Sequence, residues 1–247
     1  MNPTSEQNTI PPLKELAGMI DHSLLHPTLT NTNISDGLDI AKKLDVASAC
    51  VKPCDVALAS ERLHGSQVKV CAVVAFPHGN STTGIKLAEC QQCLDDGAAE
   101  IDMVVHIGNV LSGNWEAVRK EIQLLNALVI SRGAILKVIF ENDYLNEAQI
   151  IRLTQICSDL EVAFVKTSTG YGFVKQPDGS YRYRGATDAH LKLMIQHAGP
   201  NTQVKAAGGI RTLDDLLRVR QLGVTRVGAT ATVAMLNEAK KRLEALS

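Results

Sequence analysis

The chain has 247 residues, 45% of them hydrophobic, 21% charged and only 4% aromatic, which is enough aliphatic material for a substantial core that does not rely on rings. Its 25 Lys and Arg balance 26 Asp and Glu for a formal net charge of −1, so nothing neutralises a phosphate backbone in bulk and nucleic acid is not expected as a partner. Residues Met1–Thr9 are polar with no apolar stretch behind a basic start, and the longest apolar run, Val70–Phe76, is too short to span a bilayer; a cytoplasmic chain without a membrane segment is the expectation. Six cysteines are too few for a disulfide scaffold and fit a reducing compartment. Cys90 and Cys93 would share a helix face as half of a zinc site, but small buried thiols are the commoner reading, and no metal is expected.

Short β-branched or apolar runs alternate with amphipathic stretches about every thirty residues, the pattern of repeated βα units around a parallel sheet. Eight strands are predicted: Gly18–Asp21, Ala47–Val51, Val68–Ala75, Glu100–Val105, Ala134–Phe140, Glu161–Lys166, Gln203–Ala206 and Thr225–Ala229. Between them, Ile34, Leu38, Ala41 and Leu44 fall on one helical face, as do Val118, Ile122, Leu125 and Val129 before the stop signal Gly133. Asn146 with Gln149 and Thr212 with Asp215 have the spacing of capping boxes. No linker or composition shift divides the chain. The prediction is therefore a single-domain (β/α)8 TIM barrel over residues 1–247 with a polar extension over residues 1–12. An open doubly wound sheet would carry a Gly-rich turn after its first strand, and His22–Pro27 has none.

In such barrels the carboxyl ends of the strands carry the chemistry, and there polar residues interrupt the apolar runs: Asp21, His22 and Ser23, then Asp102, Lys137, Lys166 with Thr167, and Lys205. Side chains two apart share a face, so Phe164 points with Lys166 and Gln203 with Lys205. If those two strands are neighbours, their backbones run about 4.8 Å apart and the two ammonium groups interact. An ordinary lysine with pKa about 10.4 is neutral in only about one molecule in 2,500 at pH 7, whereas desolvation and a nearby like charge free the amine to attack a carbonyl. The competing reading is a structural layer of lysines salt-bridged to Asp21, Asp102 and Glu141. Gly208–Gly209 and Gly228–Ala229–Thr230 stand where barrels bind phosphate through backbone N–H groups, although glycines also serve simply as tight turns. His22, His26, His78 and His106 lack metal-ligand spacing and read as solvated or hydrogen-bonded imidazoles.

Six segments together resemble the deoxyribose-phosphate aldolase family: Ile20–Leu25, Phe76–Gly79, Glu100–Val104, Lys137–Glu141, Phe164–Gly170 and Lys205–Arg211. The resemblance covers nearly the whole chain. It implies a class I aldolase on a TIM barrel, in which Lys166 forms a Schiff base with acetaldehyde, Lys205 lowers its pKa and Asp102 moves protons. The enamine would attack glyceraldehyde 3-phosphate to give 2-deoxy-D-ribose 5-phosphate, with no cofactor and no metal. The resemblance further implies that Asp21 supports Lys205, that Thr169 and Gly170 contact substrate, and that Gly208, Gly209 and Gly228 bind its phosphate. Cys50 would face the pocket, where unsaturated aldehydes could alkylate it. The partners implied are small phosphorylated sugars and aldehydes; the oligomeric state stays open, a homodimer being one option.

Three departures from the family pattern stand out. Thr230 and Ala231 replace a pair of serines, which keeps one hydroxyl for phosphate. No aromatic residue follows Tyr183, so the tail tyrosine of some relatives is missing. Residues 173–184 form a longer segment in which Pro177–Asp178–Gly179 reads as a hairpin turn. From the catalytic end, its Lys175, Arg182 or Arg184 could reach substrate or another subunit, or the hairpin could be solvated decoration.

Overall fold

The computed structural model describes residues 10–245; the larger part of the expected polar tail, residues 1–9, lies outside them. The strands are β1 (Ile20–Leu24), β2 (Ser48–Val51), β3 (Lys69–Val74), β4 (Glu100–Val104), β5 (Ile135–Ile139), β6 (Phe164–Lys166), β7 (Val174–Lys175), β8 (Tyr181–Arg182), β9 (Gln203–Ala207) and β10 (Arg226–Ala229). Eight of them close a parallel barrel in the order β1-β10-β9-β6-β5-β4-β3-β2, while β7 and β8 pair only with each other as an antiparallel hairpin. The helices are α1 (Leu13–Ala17), α2 (Asn31–Leu44), α3 (Val56–Leu63), α4 (Thr83–Asp95), α5 (Ile107–Leu111), α6 (Trp115–Ser131), α7 (Glu147–Asp159), α8 (Asp188–His197), α9 (Leu213–Gln221) and α10 (Thr232–Glu244). None of the described helices is long and apolar enough to cross a membrane.

Period-two alternation along the strands separates two interiors. Ile101 and Met103 of β4, Leu136 and Val138 of β5, and Val165 of β6 point outward and build the aliphatic core with the inner faces of the helices. The alternate residues, Glu100, Asp102, Lys137 and Lys166, point into the barrel, where most barrels place layers of Val, Ile and Leu. Helix α2 buries Ile34, Leu38 and Ala41, and α6 buries Val118, Ile122, Leu125 and Val129, the faces that the periodicity predicts. Both expected capping boxes are present, at Asn146–Gln149 and Thr212–Asp215.

Two strands, β1 and β6, depart from the sequence expectation by more than one residue at an end, the others by one residue. Gly18 closes the five-residue helix α1, which periodicity cannot detect at that length, and β1 instead runs on through His22 and Ser23. Those polar residues are strand because Asp21 and Ser23 face the barrel interior while His22 turns outward to hydrogen-bond Thr232 at the start of α10. Likewise Glu161, at φ 52°, lies in the turn that follows α7, and β6 begins only at Phe164.

In the α9 box the Thr212 hydroxyl accepts from the Asp215 N–H at 3.1 Å while the Asp215 carboxylate accepts from the Thr212 N–H at 3.1 Å. Thr212→Ala is expected to cost about 1 kcal/mol and to lower the thermal midpoint by about 2–4 °C, read by circular dichroism; an unmoved midpoint would show the cap to be idle.

Candidate active site

The register of the barrel determines which polar side chains meet. Lys166 of β6 is directly opposite Lys205 of β9, Asp102 of β4 opposite Lys137 of β5, and Asp21 of β1 opposite Ser48 of β2. Partners in a parallel pair point to the same side, so these residues share the barrel interior. There Asp102 is the hub: its Oδ2 accepts from Lys166 Nζ at 2.7 Å and from Lys205 Nζ at 2.7 Å, and its Oδ1 accepts from Lys137 Nζ at 2.8 Å. Lys205 also pairs with Asp21, and Lys137 reaches Glu100 at 2.6 Å and Asp21 at 3.5 Å. Arg226 closes the cluster from β10, pairing with Asp21 at 2.6 Å and Glu100 at 3.1 Å while its guanidinium lies 5.2 Å from the Phe164 ring centroid.

Burial opposes the charge on Asp102, Asp21, Lys137 and Lys205, and their neighbours override it. Lys137, Lys166 and Lys205 hold the Asp102 carboxyl well below the usual carboxylate range. Lys205, Lys137 and Arg226 do the same for Asp21. In return, Asp102, Cys71, Asp21 and Glu100 hold the Lys137 ammonium well above its ordinary value, and Asp102 and Asp21 raise that of Lys205. Lys166 differs from both in its partners: among the described residues its single carboxylate contact is Asp102, against two for Lys205 and three for Lys137.

A cavity of about 430 Å³ opens above this floor. Asp21, Lys166 and Lys205 reach its base, and Thr169, Gly170, Gly208, Gly209, Gly228 and Thr230 all line it. Asp102, fully buried, lies behind the two lysines it serves, and Cys50 faces the cavity. Gly208, at φ 86°, has a backbone conformation that side chains rarely adopt and packs against Gly185. Of the four histidines considered above, His26 lines the cavity and hydrogen-bonds Thr28, and His106 caps α5. Burial pushes the His22 imidazole down to about 4, so it is neutral at physiological pH.

The sequence left more than one option open for the hairpin. Its cations do not line the cavity: Arg182 pairs with Asp178 at 3.7 Å and Arg184 with Asp143 at 3.6 Å, while Lys175 is exposed. Its base supplies aromatics instead, Phe173 and Tyr183, packed edge to face at 5.4 Å. The cation on this wall is Arg211, which donates to the Tyr183 hydroxyl at 3.4 Å. Sequence reasoning also missed Glu100, Ser48, Cys71 and Arg226; for Glu100 a signal existed, since it stands two residues before Asp102 and so shares its face.

Two sets of metal-ligand type gather inside the barrel, Cys50 with Cys71 and Asp102, and Asp21 with Cys71 and Glu100. Lys137 Nζ is in contact with all three members of the second set and with Cys71 and Asp102 of the first, so a fixed ammonium already stands where a cation would sit. Cys90 and Cys93 find no third ligand among the described residues, and burial pushes each thiol up to about 12.

The family model for DeoC/LacD aldolases matches residues 16–237. The chain belongs to that family. Among DeoC/LacD relatives, the deoxyribose-phosphate aldolase of Rhodopirellula baltica is 48% identical over 93% of this chain and 91% of its own. That of Caldanaerobacter subterraneus is 41% identical over 93% and 96%. The solved structure of deoxyribose phosphate aldolase from Aeropyrum pernix, a tetramer, superposes with a TM-score of 0.82 at 29% identity, covering 94% of this chain and 93% of its own.

One carboxyl near Lys166 has unusual acid–base behaviour. Glu141, buried and left-handed at φ 59°, accepts from both the N–H and the hydroxyl of Thr169, and a Cβ on Gly172 would collide with it. Burial raises its pKa to about 7 despite those bonds. A carboxyl raised in the folded state stabilises the fold while neutral and loses that contribution as pH climbs through its folded pKa. Relative to Glu141→Gln, the native chain should therefore lose about 3 kcal/mol of unfolding free energy between pH 4.5 and 8, measurable by urea titration at each pH; parallel pH profiles for the two proteins would refute it.

Proposed function

We propose that this chain is a class I deoxyribose-phosphate aldolase: it reversibly cleaves 2-deoxy-D-ribose 5-phosphate to D-glyceraldehyde 3-phosphate and acetaldehyde through a Schiff base on Lys166. The observation that carries the reading is that two lysines at the base of one cavity share a single carboxylate oxygen, Asp102 Oδ2. The activity named for the Rhodopirellula and Aeropyrum relatives agrees with it.

Lys166 is suited to the nucleophile's role because it faces the cavity and has the fewest carboxylate contacts of the three lysines that meet at Asp102. In the synthetic direction its neutral amine attacks the acetaldehyde carbonyl, and loss of water from the carbinolamine gives the imine. The protonated imine withdraws electrons, a methyl proton leaves, and the resulting enamine carbon forms the new bond to the aldehyde carbon of glyceraldehyde 3-phosphate. Water then adds to the imine, releasing product and amine. Asp102 contacts both lysine nitrogens and is placed to pass protons between the Lys166 adduct and Lys205. Asp21 anchors Lys205, and Lys137 balances the Asp102 charge from below.

The wall opposite suits a phosphorylated substrate. Gly208, Gly209, Gly228, Thr230 and Arg211 line the cavity, as do Thr169 and Gly170, so that backbone N–H groups, a hydroxyl and a guanidinium are available to a phosphate. The same reading takes residues 1–247 as one functional domain, working in cytoplasmic deoxyribonucleoside catabolism with no cofactor.

Borohydride reduction in the presence of acetaldehyde should leave an ethyl group on Lys166 by peptide mass analysis; an adduct elsewhere, or none, would sink the proposal. Lys166→Ala should give no adduct and no turnover. Asp102→Asn should lower kcat by about 100- to 10,000-fold. Arg211→Ala should raise KM for the phosphorylated aldehyde about 10- to 100-fold while leaving turnover of unphosphorylated aldehydes unchanged; equal effects on both would remove Arg211 from phosphate recognition.

A further inference from the structure

Two of the six cysteines lie at a place where the proposed reaction assigns them nothing. Cys50 and Cys71 are register partners on the adjacent parallel strands β2 and β3, both facing the barrel interior, with sulfurs within 4.8 Å of one another. Neighbouring strands hold such Cα atoms about 4.8 Å apart, inside the roughly 4.4–6.8 Å that a disulfide spans. Cys50 lines the cavity; Cys71 is fully buried behind it. The Cys71 thiol donates to Asp102 Oδ1 at 3.2 Å and its sulfur accepts from Lys137 Nζ at 3.2 Å.

The other adjacent pair, Cys90 and Cys93, stands one turn apart on α4, buried in the core, and neither thiol lines the cavity. In the barrel, by contrast, the two thiols differ from one another. The hydrogen bond with Cys71 draws the Cys50 thiol below its ordinary value, Lys205 and Lys166 adding to it against burial and the Asp102 charge. Burial, Cys50 and Asp102 push the Cys71 thiol well above. The more acidic thiol is thus the one a small solute can reach, and its neighbour remains protonated within reach of it.

We propose that Cys50 and Cys71 form a peroxide-responsive thiol pair, Cys50 attacking and Cys71 resolving, which closes a reversible disulfide beneath the floor of the cavity. The Cys50 thiolate attacks one oxygen of a hydroperoxide. The O–O bond breaks, the sulfur keeps one hydroxyl as sulfenic acid, and the other oxygen leaves with the bond's electron pair and takes a solvent proton. Cys71 sulfur then displaces hydroxide from the sulfenic sulfur: the S–S bond forms, the S–O bond breaks, and the Cys71 proton departs with the hydroxide as water. With hydrogen peroxide two thiols become one disulfide and the oxidant becomes two waters; a dithiol returns both thiols. Once oxidised, Cys71 has no proton to give Asp102, and its sulfur is drawn toward Cys50 and away from Lys137. That consequence for turnover rests on the aldolase reading; the disulfide itself does not.

The test treats the full chain with hydrogen peroxide, alkylates the remaining thiols with iodoacetamide and maps peptides by mass. The expected result is a linked Cys50–Cys71 peptide that dithiothreitol dissolves, kept in Cys54→Ser and lost in both Cys50→Ser and Cys71→Ser. In Cys71→Ser, Cys50 should instead accumulate as a sulfenic acid that dimedone captures. Oxidation confined to the exposed Cys54, or a Cys50 that stops at sulfenic acid with Cys71 free, overturns the thiol pair. In step with the linked peptide, aldolase turnover should fall at least about tenfold through displacement of Asp102 and return with dithiothreitol; disulfide formation at constant turnover overturns the coupling to Asp102. Absence of turnover in the untreated chain would count against the aldolase and leave the mass result to decide the thiol pair.

Discussion

Everything inside this barrel depends on the Asp102 carboxylate, which holds three lysine nitrogens on two oxygens. An isolated ammonium in such a place would lose its proton or bring in water, and three of them would repel one another. Asp102 removes both difficulties, but its two oxygens are not enough for full compensation. Asp21 and Glu100 supply the remainder for Lys205, Lys137 and Arg226, so that three carboxylates and four basic side chains interlock beneath the cavity of a chain whose formal net charge is only −1. Breaking a buried pair by removing one partner typically costs about 3–5 kcal/mol, so the same network that disposes the site for chemistry constrains its composition.

Strand register makes the network possible. A one-residue slip would turn every inward side chain outward. The aliphatic outer faces prevent this, because Ile101, Met103, Val138 and Val165 must stay under the helices. Hydrophobic packing outside the sheet thereby fixes electrostatics inside it. The loops beyond the strand ends are held by local devices: the Glu141 carboxylate on Thr169, the Asp143 carboxylate on the N–H groups of Arg184 and Gly185, and the aromatic contact of Phe173 with Tyr183.

The lysines and Asp102 were legible in the sequence because a charged residue inside an apolar strand has few explanations, and period-two alternation gives its direction. The pairing of Lys166 with Lys205 needed only the assumption that their strands are neighbours, which closure in sequence order supplies. Cys71 and Ser48 were not legible: both are small residues ordinary in strands, and their importance arises from what sits across the register. Arg226 opens its strand and reads as a surface cation until Asp21 and Glu100 are found beside it. Glu141 and Thr169 are 28 residues apart, and neither carries a local signal of their contact. Helix α1 is little more than one turn, burying Leu16 and Ala17, and at five residues it lies below the length at which helical periodicity can be seen.

Lys137 has a consequence of its own. It stands among carboxylates and thiols of the kind that elsewhere hold a metal ion, yet its charge is tethered to β5 by four methylenes. An ion in that position would have an affinity, an exchange rate and a dependence on cellular supply. A side-chain ammonium has none of these. It arrives with translation, takes its place when the strands close, and lies too deep for dissolved salt to screen. The floor of the cavity therefore carries a positive charge as permanent as the covalent chain.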